Sequence, residues 1–435
     1  MKIKKIIKSI LFILLVGVIM LSSFACKGEE KISNSTHALN NVSYKPNQRR
    51  ELEINSYDKL RKSAFEIYDI ISEEAEENGE NFVASPLSIY MAFALLDYIG
   101  DETVKEEVSE FLGLTEEEIL AAGELFEYIE RSAKDENGKE FRKVSLTNSI
   151  WMDVDQGYEY SKEVLDNLAN NFYCYGYETP FLNDNAKANE DIRKFIKNNT
   201  NGLIDRNFEL SRETLFALIN TLYFKDNWNS SGWELNSKND LFHLDDSDIR
   251  CEYVFGNYVS GVEITDEISR TMYTVTTGGY QLRFIVPNDG HTLKEAMESS
   301  YLYDLTSRSH TESAPDDFTW HQTRTIFPVF EAKGNVDIKK VLIEKKMLNH
   351  TFNGYISDLV NTPIYVSDII HDAILKVDKK GIEGAAVTII ANGAESANPS
   401  EISYHDFLVD KPFGFILSTR EGVVLFMGQI TNPLN

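Results

Sequence analysis

The stretch Val-Asp-Lys-Lys-Gly-Ile-Glu-Gly-Ala-Ala-Val-Thr-Ile-Ile-Ala, residues 377–391, is the most informative part of this sequence. Its small residues suit a bend, and its later β-branched residues favour a strand. Side chains of a strand alternate between two faces, and here one face carries no charge. That uncharged face consists of Ile382, Gly384, Ala386, Thr388 and Ile390. The polar residues 392–399 predict an exposed loop next to it. An ordinary hairpin strand followed by a polar loop fits the same pattern.

Composition predicts a globular protein with a large core. The chain has 435 residues, of which 42% are hydrophobic and 26% are charged. This length often indicates two or three domains, but no linker-like stretch interrupts residues 57–433, so we expect a single domain over 55–435. The formal net charge of −26 argues against nucleic-acid binding, which requires a basic surface.

The N-terminus has the layout of an export signal. Four lysines within the first eight residues precede an apolar run over residues 10–21, which is too short to span a membrane comfortably. Ala25-Cys26 then resembles the cleavage site of a bacterial lipoprotein signal. We therefore expect a signal peptide over 1–25, lipidation at Cys26 and a flexible tether over 26–54. The membrane would be contacted only through the lipid. Ordinary secretion and an uncleaved anchor remain alternatives.

Motifs for catalysis or metal binding are absent from the sequence. There is no Gly-x-Ser-x-Gly, His-Glu-x-x-His, Cys-x-x-Cys or phosphate-binding glycine loop, and we expect neither an enzyme nor a bound metal or cofactor. Besides Cys26, the only cysteines are Cys174 and Cys251. An exported chain could pair them, but two buried free thiols are the expectation.

Helical patterns dominate the first part of the chain and β-rich runs the last part. This order, without a regular alternation of strand and helix, predicts an α+β fold with mixed or antiparallel sheets. The helices are expected at 57–75, 86–97, 103–112, 161–171, 186–198, 292–297 and 337–348. The strands are expected at 144–154, 215–224, 270–275, 281–286, 323–330, 407–409, 413–418 and 423–430.

Residues 377–391 resemble the reactive-loop hinge of serpins, and further segments resemble the same family in the same order. These are Asn-Phe-Val-Ala-Ser-Pro-Leu-Ser-Ile at 81–89, Asn-Thr-Leu-Tyr-Phe-Lys-Asp-Asn-Trp at 220–228, residues 369–378, 407–416 and 424–433. Together they span nearly the whole chain after the tether. The resemblance implies a serpin fold, in which helices surround mixed and antiparallel sheets and an exposed loop can insert into the largest sheet.

The resemblance also implies roles for particular residues. It predicts that Ser85, Ser88, Asn220 and His371 meet as a polar cluster beneath the sheet, at the place where the sheet must part. It places Trp228 where the loop first enters. Two features depart from the family: Asp226-Asn227 replaces a glycine-containing turn, and residues 230–248 lack the usual strand opening.

Serpins trap proteases as acyl-enzymes: the protease cuts the loop, which then inserts into the sheet. The implied hinge consists of Gly381, Ile382, Glu383, Gly384, Ala385, Ala386 and Thr388. No proline interrupts residues 381–398, so every backbone donor needed for insertion is present. Two features differ from the family: Ile382 stands where a Thr or Ser is usual, and Lys379-Lys380 replace an acidic pair.

The cleaved bond follows from counting along the loop. Counting forward from Gly381 places it at Glu395-Ser396, whereas counting back from Pro412 places it near Glu401. A cut after Ala394 or Ala391 would suit elastase-like proteases. The resemblance predicts a monomeric inhibitor of a chymotrypsin-like or subtilisin-like serine protease. The alternative is a non-inhibitory surface lipoprotein that uses the same fold for ligand binding or adhesion.

Overall fold

A computed structural model describes most of the chain. The described residues are 29–38, 54–121, 125, 131–134, 138, 140–229, 234–244, 246–256, 259–260, 263–311, 321–364, 366, 369–383 and 403–435. Several residues singled out from the sequence lie outside these ranges. They are the signal peptide 1–25, Cys26, Gly384, Ala385, Ala386, Thr388, Glu395 and Ser396.

Helices flank the sheets, and most of them come early in the sequence. In chain order they are α1 (Ile54–Glu77), α2 (Pro86–Ile99), α3 (Glu102–Leu112), α4 (Glu116–Leu120), α5 (Lys162–Phe172), α6 (Asn185–Asn199), α7 (Leu293–Met297), α8 (Ser299–Thr311), α9 (Ile338–Glu344) and α10 (Asn349–Asn353). Helix α2 starts as its sequence predicts. The Ser85 side chain accepts a hydrogen bond from the backbone N–H of Ser88, and Pro86 occupies the first turn.

The largest sheet, called the main sheet below, contains eight of the described strands. These are β1 (Thr36–His37), β3 (Arg131–Lys134), β4 (Glu140–Asp153), β5 (Tyr175–Thr179), β6 (Phe216–Asn227), β14 (Phe330–Asp337), β17 (Ile370–Asp378) and β18 (Gly381–Ile382). Their order across the sheet is β1-β5-β4-β6-β18-β17-β14, with β3 paired to β4. Strands β4 and β5 are parallel, and the other neighbours in this order are antiparallel.

Two smaller sheets and a short hairpin complete the β-structure of the described chain. One sheet has the order β10-β11-β12-β20-β21-β2, another has β19-β13-β8-β7 with β9 beside β13, and β15 pairs with β16. Their bounds are β2 (Phe82–Ala84), β7 (Glu234–His243), β8 (Asp248–Phe255), β9 (Val259–Ser260), β10 (Ile264–Thr265), β11 (Ser269–Val275), β12 (Gln281–Pro287), β13 (His321–Pro328), β15 (Tyr355–Ser357), β16 (Thr362–Ile364), β19 (Ser403–Leu408), β20 (Phe413–Ser418) and β21 (Val424–Ile430). Mixed sheets with peripheral helices confirm the predicted α+β class.

The core has two parts on opposite faces of the main sheet. The larger part includes most of α2, which is buried on nearly every side because its sequence is apolar all round. The smaller part lies beneath α6. There Trp151 stacks on Tyr177 with ring centroids 4.2 Å apart, and Phe195 packs edge-on against both rings. Helix α6 is therefore attached to the main sheet by an aromatic cluster.

Several elements were not anticipated from the sequence, and β7 and α8 are two of them. Strand β7 occupies part of the region 230–248, where no strand opening was evident, and it pairs antiparallel with β8. Helix α8 follows α7 almost directly and packs beside α1. In β7 the polar stretch Asn236-Ser237-Lys238-Asn239-Asp240 obscures the alternation, and a register shift falls between Asn236 and Asp240.

The tether expected over 26–54 is wrong for residues 29–38. These residues lie along α6, and Thr36 and His37 pair with Glu178 and Tyr177 as an added strand at the edge of the main sheet. The stretch is polar and has no apolar period, so its sequence gave no sign of order. What holds it is described below.

Candidate functional site

The predicted loop hinge begins inside the main sheet. Gly381 pairs with Asp378 on one side and Asn227 on the other, and Ile382 pairs with Val377 and Asp226. Among the described residues, only these two form a strand between β6 and β17, and no pairing between β6 and β17 themselves is present. Ile382 is fully buried. The residue that departs from the family pattern is thus already accommodated within the sheet.

Gly381 permits a very close approach of the hinge to β6. A β-carbon at this position would lie 2.1 Å from the carbonyl oxygen of Asp226 and 2.7 Å from the α-carbon of Asn227. Both neighbours are backbone atoms, which cannot rotate away as a side-chain end can. The turn before it is fixed by the Asp378 side chain, which accepts hydrogen bonds from the N–H groups of Lys380 and Gly381 at 2.7 and 3.3 Å.

At Glu383 the backbone bends. Its φ of 60° is in the left-handed region, which is uncommon for residues other than glycine. Its N–H donates to the carbonyl of Lys376 at 2.7 Å. Burial raises the pKa of the Glu383 carboxyl, which is hydrogen-bonded to Tyr223 and Asn201. The sequence placed Glu383 where solvent could reach it, but in the structure it is largely enclosed.

Trp228 packs directly against the start of the hinge. Its indole Nε1 donates to the carbonyl of Asp378 at 2.7 Å, and its backbone N–H donates to the carbonyl of Lys380 at 3.2 Å. The ring lies edge-on to Phe327 and is 4% exposed. Trp228 therefore holds the turn that joins β17 to the hinge.

The four residues predicted to form a polar cluster lie together beneath the main sheet. The N–H of Ser85 donates to His371 Nε2 at 3.0 Å, and the N–H of Ser88 donates to Ser85 Oγ at 3.2 Å. The Ser88 hydroxyl donates to Asn220 Oδ1. A continuous chain of hydrogen bonds thus runs from β17 through the start of α2 to β6. It joins the two strands that flank the hinge.

His371 is held in its neutral form. Its ring is buried, and this burial lowers its pKa to about 4 because an imidazolium loses more hydration than a neutral ring does. Nε2 accepts the Ser85 N–H, so the ring proton of the neutral form is on Nδ1. Protonation of Nε2 would place its N–H against the N–H of Ser85. Two donors would then face each other, and the hydrogen bond that links β17 to α2 would be lost.

One member of the cluster was missed from the sequence. Asn148 on β4 is buried, and its Oδ1 accepts from Asn220 Nδ2 at 2.6 Å. Its own Nδ2 donates to the carbonyl of Phe172 at 2.9 Å. Because β4 alternates without any unusual spacing here, the sequence offered no signal for this role. The cluster consequently extends across three strands of the main sheet, β4, β6 and β17.

A cavity of about 170 Å³ continues the gap occupied by the hinge. It lies between β6 and β17 and reaches α2 on one face of the sheet and α6 on the other. Its lining includes Ser88 and Asn220 from the polar cluster, Ile192 and Ile196 of α6, and Ala373 of β17. A chain entering after Ile382 would therefore pass through this cavity.

Asp226 and Asn227, which replace the glycine-containing turn of the family, fix the end of β6 beside the hinge. The buried Asp226 carboxylate accepts from the N–H groups of Gly278 and Asn227 at 2.6 and 3.0 Å and from the Thr277 hydroxyl. Arg142 of β4 lies 3.4 Å away. The Asp226 carboxylate thus links β6 to β4 and to the turn after β11, and these partners compensate its buried charge.

Other chemistry is sparse in the described part of the molecule. No group of three or more potential metal-ligating side chains occurs among the described residues. Cys174 and Cys251 are both free and buried, and burial raises the pKa of the Cys251 thiol to about 11. Within the same ranges, no helix is long and apolar enough to cross a membrane.

Comparison with known proteins gives consistent results. The family model described as Serpin (serine protease inhibitor) matches residues 58–433. Human neuroserpin is 26% identical over 404 residues, covering 88% of this chain and 90% of its own length. A serpin-like protein of Thermococcus kodakarensis is 26% identical over 375 residues, covering 85% of this chain and 84% of its own.

Solved structures share the fold at lower identity. The native state of the thermophilic serpin tengpin superimposes with a TM-score of 0.71 at 17% identity, covering 92% of this chain and 100% of its own. Thyroxine-binding globulin in complex with thyroxine gives a TM-score of 0.69 at 18% identity, covering 87% and 99%. With the family model matched over residues 58–433, this chain belongs to the serpin family of protease inhibitors.

Proposed function

We propose that this protein inhibits a serine protease by trapping it as an acyl-enzyme while the cut loop inserts into the main sheet. The observation that carries the proposal is the position of Gly381 and Ile382 between β6 and β17, directly above a cavity in line with them. The first two residues of an inserted strand are already paired on both sides. Continued insertion extends an existing ladder rather than starting a new one.

The hinge sequence supports continuation of this ladder. On the face of Ile382, a strand in the same register would next bring in Gly384, Ala386 and Thr388, which are small and uncharged. Residues 381–395 would span roughly 50 Å as a strand. Insertion would pair and bury the residues that follow Ile382, and the native fold would persist as a kinetically trapped state.

We further propose cleavage at Glu395-Ser396 by a chymotrypsin-like or subtilisin-like protease, since the depth of insertion is counted from the hinge. Residues near Glu401, Ala394 and Ala391 are the alternatives. The protein would act as a monomer without a cofactor. Export by the signal 1–25 and lipidation at Cys26 would place it at the cell surface.

The test is a gel of residues 27–435 mixed with elastases, subtilisin, chymotrypsin, trypsin and a Glu-cleaving protease, denatured in SDS. A band at the summed mass is expected, and sequencing of the released C-terminal peptide identifies the cut bond. Ala386→Arg is the matched variant. Its charge would have to enter the core, so cleavage should continue while the complex disappears.

Thermal stability after cleavage separates inhibition from the alternative function. An inserted loop raises the melting temperature of the cleaved protein. Cleavage by every protease with neither a complex nor a rise in melting temperature would contradict inhibition. That result would support the ligand-binding or adhesion alternative, and thyroxine-binding globulin provides an example of a serpin fold solved with a small ligand.

A further inference from the structure

Residues 29–38, called the strap below, connect α6 to the edge of the main sheet. The strap contacts α6 through its first part and pairs with β5 through its last part. It thus joins two elements that face each other across the smaller core. Each of its attachments involves buried or partly buried groups.

The first attachment is Asp191, a fully buried carboxylate on α6. It accepts from the backbone N–H groups of Asn34 and Ser35 at 2.6 and 2.8 Å, and from that of Ser33 at 3.4 Å. The Asn34 side chain adds a fourth hydrogen bond at 3.1 Å. A buried carboxylate that loses such donors is strongly destabilised. Asp191 therefore binds the strap through its backbone.

The second attachment is Glu30. Its carboxylate contacts Arg193 at 3.0 Å and Lys197 at 2.5 Å, both on α6. Its backbone exchanges two hydrogen bonds with the Asn198 side chain, at 2.9 and 2.8 Å. These contacts extend over the C-terminal half of the helix, so the strap follows α6 for about two turns.

The third attachment is the sheet itself. Thr36 and His37 pair with β5, and the His37 ring lies 4.6 Å from that of Tyr177. Ile32 packs against the aromatic cluster beneath α6. Because the strap is bound to the helix at one end and to the sheet at the other, lifting α6 would require breaking one set of contacts.

Helix α6 lies where an inserting strand must pass. Ile192 and Ile196 line the cavity between β6 and β17, whose volume of about 170 Å³ is comparable with an engineered cavity that holds one benzene. A strand continuing from Glu383 would direct Ala385, Val387 and Ile389 toward α6. One alanine and two β-branched side chains exceed this space, so insertion requires α6 to move away from the sheet.

We propose that the strap restrains α6 and thereby sets the rate at which the loop inserts. The inference rests on the insertion mechanism proposed above. Removal of the strap frees α6 from the sheet edge, so the gap opens more readily. When the strap detaches, the buried Asp191 carboxylate loses its three backbone donors. Because this loss is costly, detachment is infrequent.

The test is the rate at which a synthetic peptide of residues 382–395 anneals into the main sheet. Proteins starting at residue 27 and at residue 39 are compared, with annealing followed by the rise in thermal stability. At least tenfold faster annealing is expected without the strap. Asp191→Asn should accelerate it to a lesser extent. Lys187→Ala, on the same helix and away from the strap, should anneal at the original rate.

Equal rates within twofold for the two proteins would overturn the inference. If the shortened protein does not fold, the double variant Glu30→Ala, Asp191→Asn in the full chain replaces it. A peptide of residues 29–38 added in trans should restore slow annealing to the shortened protein. If the loop peptide anneals to neither protein, the insertion mechanism is contradicted. Amide hydrogen exchange of α6 then tests the strap alone, and unchanged exchange without the strap overturns it.

Discussion

Asp97 is a buried carboxyl group near the end of α2. It is fully buried, and neither of its oxygens receives a hydrogen bond from the described residues. Burial raises its pKa from 3.8 to about 7, and the nearby carboxylates Glu116 and Glu102 add to this shift while Lys105 opposes it. At neutral pH, folding must therefore either bury a charge or bind a proton.

The sign and size of the effect follow from this pKa. The folded state holds the proton more tightly than the unfolded state, so the stabilising contribution is complete below pH 3.8 and is lost as the pH rises through 7. The shift of about 3 pH units corresponds to about 4 kcal/mol. Asp97→Asn removes this loss, while its buried amide donors cost about 1–3 kcal/mol. The net gain expected at pH 8 is about 1–3 kcal/mol.

The assay is guanidinium unfolding of wild type and Asp97→Asn at pH 4 and pH 8. The variant should be more stable at pH 8 and equal to or less stable than wild type at pH 4. The exposed Glu117→Gln serves as the matched control and should change stability by less than about 0.5 kcal/mol at both values. A variant that is equally stabilised at both pH values, or destabilised at pH 8, would refute the interpretation of Asp97 as a buried, unpaired acid.

Three further predictions concern the hinge and the polar cluster. Gly381→Ala should expel the hinge from the sheet, because the new β-carbon would lie 2.1 Å from a backbone oxygen. Exposing Ile382 costs about 2 kcal/mol, so limited proteolysis should cut faster near residue 382. Unchanged cleavage would contradict the close approach. The pKa of His371 is about 4 in the folded protein, against an ordinary 6.5. Its contribution to the free energy of unfolding, about 3 kcal/mol, is therefore present above pH 6.5 and lost as the pH falls to 4. His371→Gln should reduce this loss of stability in acid, and an equally steep loss in the variant would show that another group causes it. Trp228→Phe removes the 2.7 Å hydrogen bond to the Asp378 carbonyl and should lower the free energy of unfolding by about 1–3 kcal/mol. The measurement is the midpoint of guanidinium unfolding. An unchanged midpoint would show that the Trp228 side chain does not support the hinge.

Ile382 illustrates how a concern raised by the sequence was resolved by packing. Its bulk, where the family has Thr or Ser, suggested an obstacle to insertion. In the structure its side chain is already buried between the positions of Val377 and Asp226. Its bulk is therefore no obstacle to the insertion proposed above.

The sequence by itself was sufficient for the family and for part of the local structure. The Ser85-Pro86 start of α2 and the β-rich runs that form β6 and the C-terminal strands are short-range patterns, and each depends on residues a few positions apart. The meeting of Ser85, Ser88, Asn220 and His371 was expected because the family resemblance located each of them. These features follow from side-chain identity and spacing.

Tertiary structure alone decided the strap, Asn148 and the burial of Asp97. The strap is held largely by its backbone N–H groups, which every residue except proline possesses. No pattern of residue types therefore predicts that this segment binds to α6. Its acceptor Asp191 lies 157 residues from Asn34 along the chain. Asn148 and Asp97 likewise acquire their environments from elements distant in sequence. The sequence does not distinguish a polar side chain that faces water from one that faces the interior. Only the tertiary structure determines which of the two environments surrounds it.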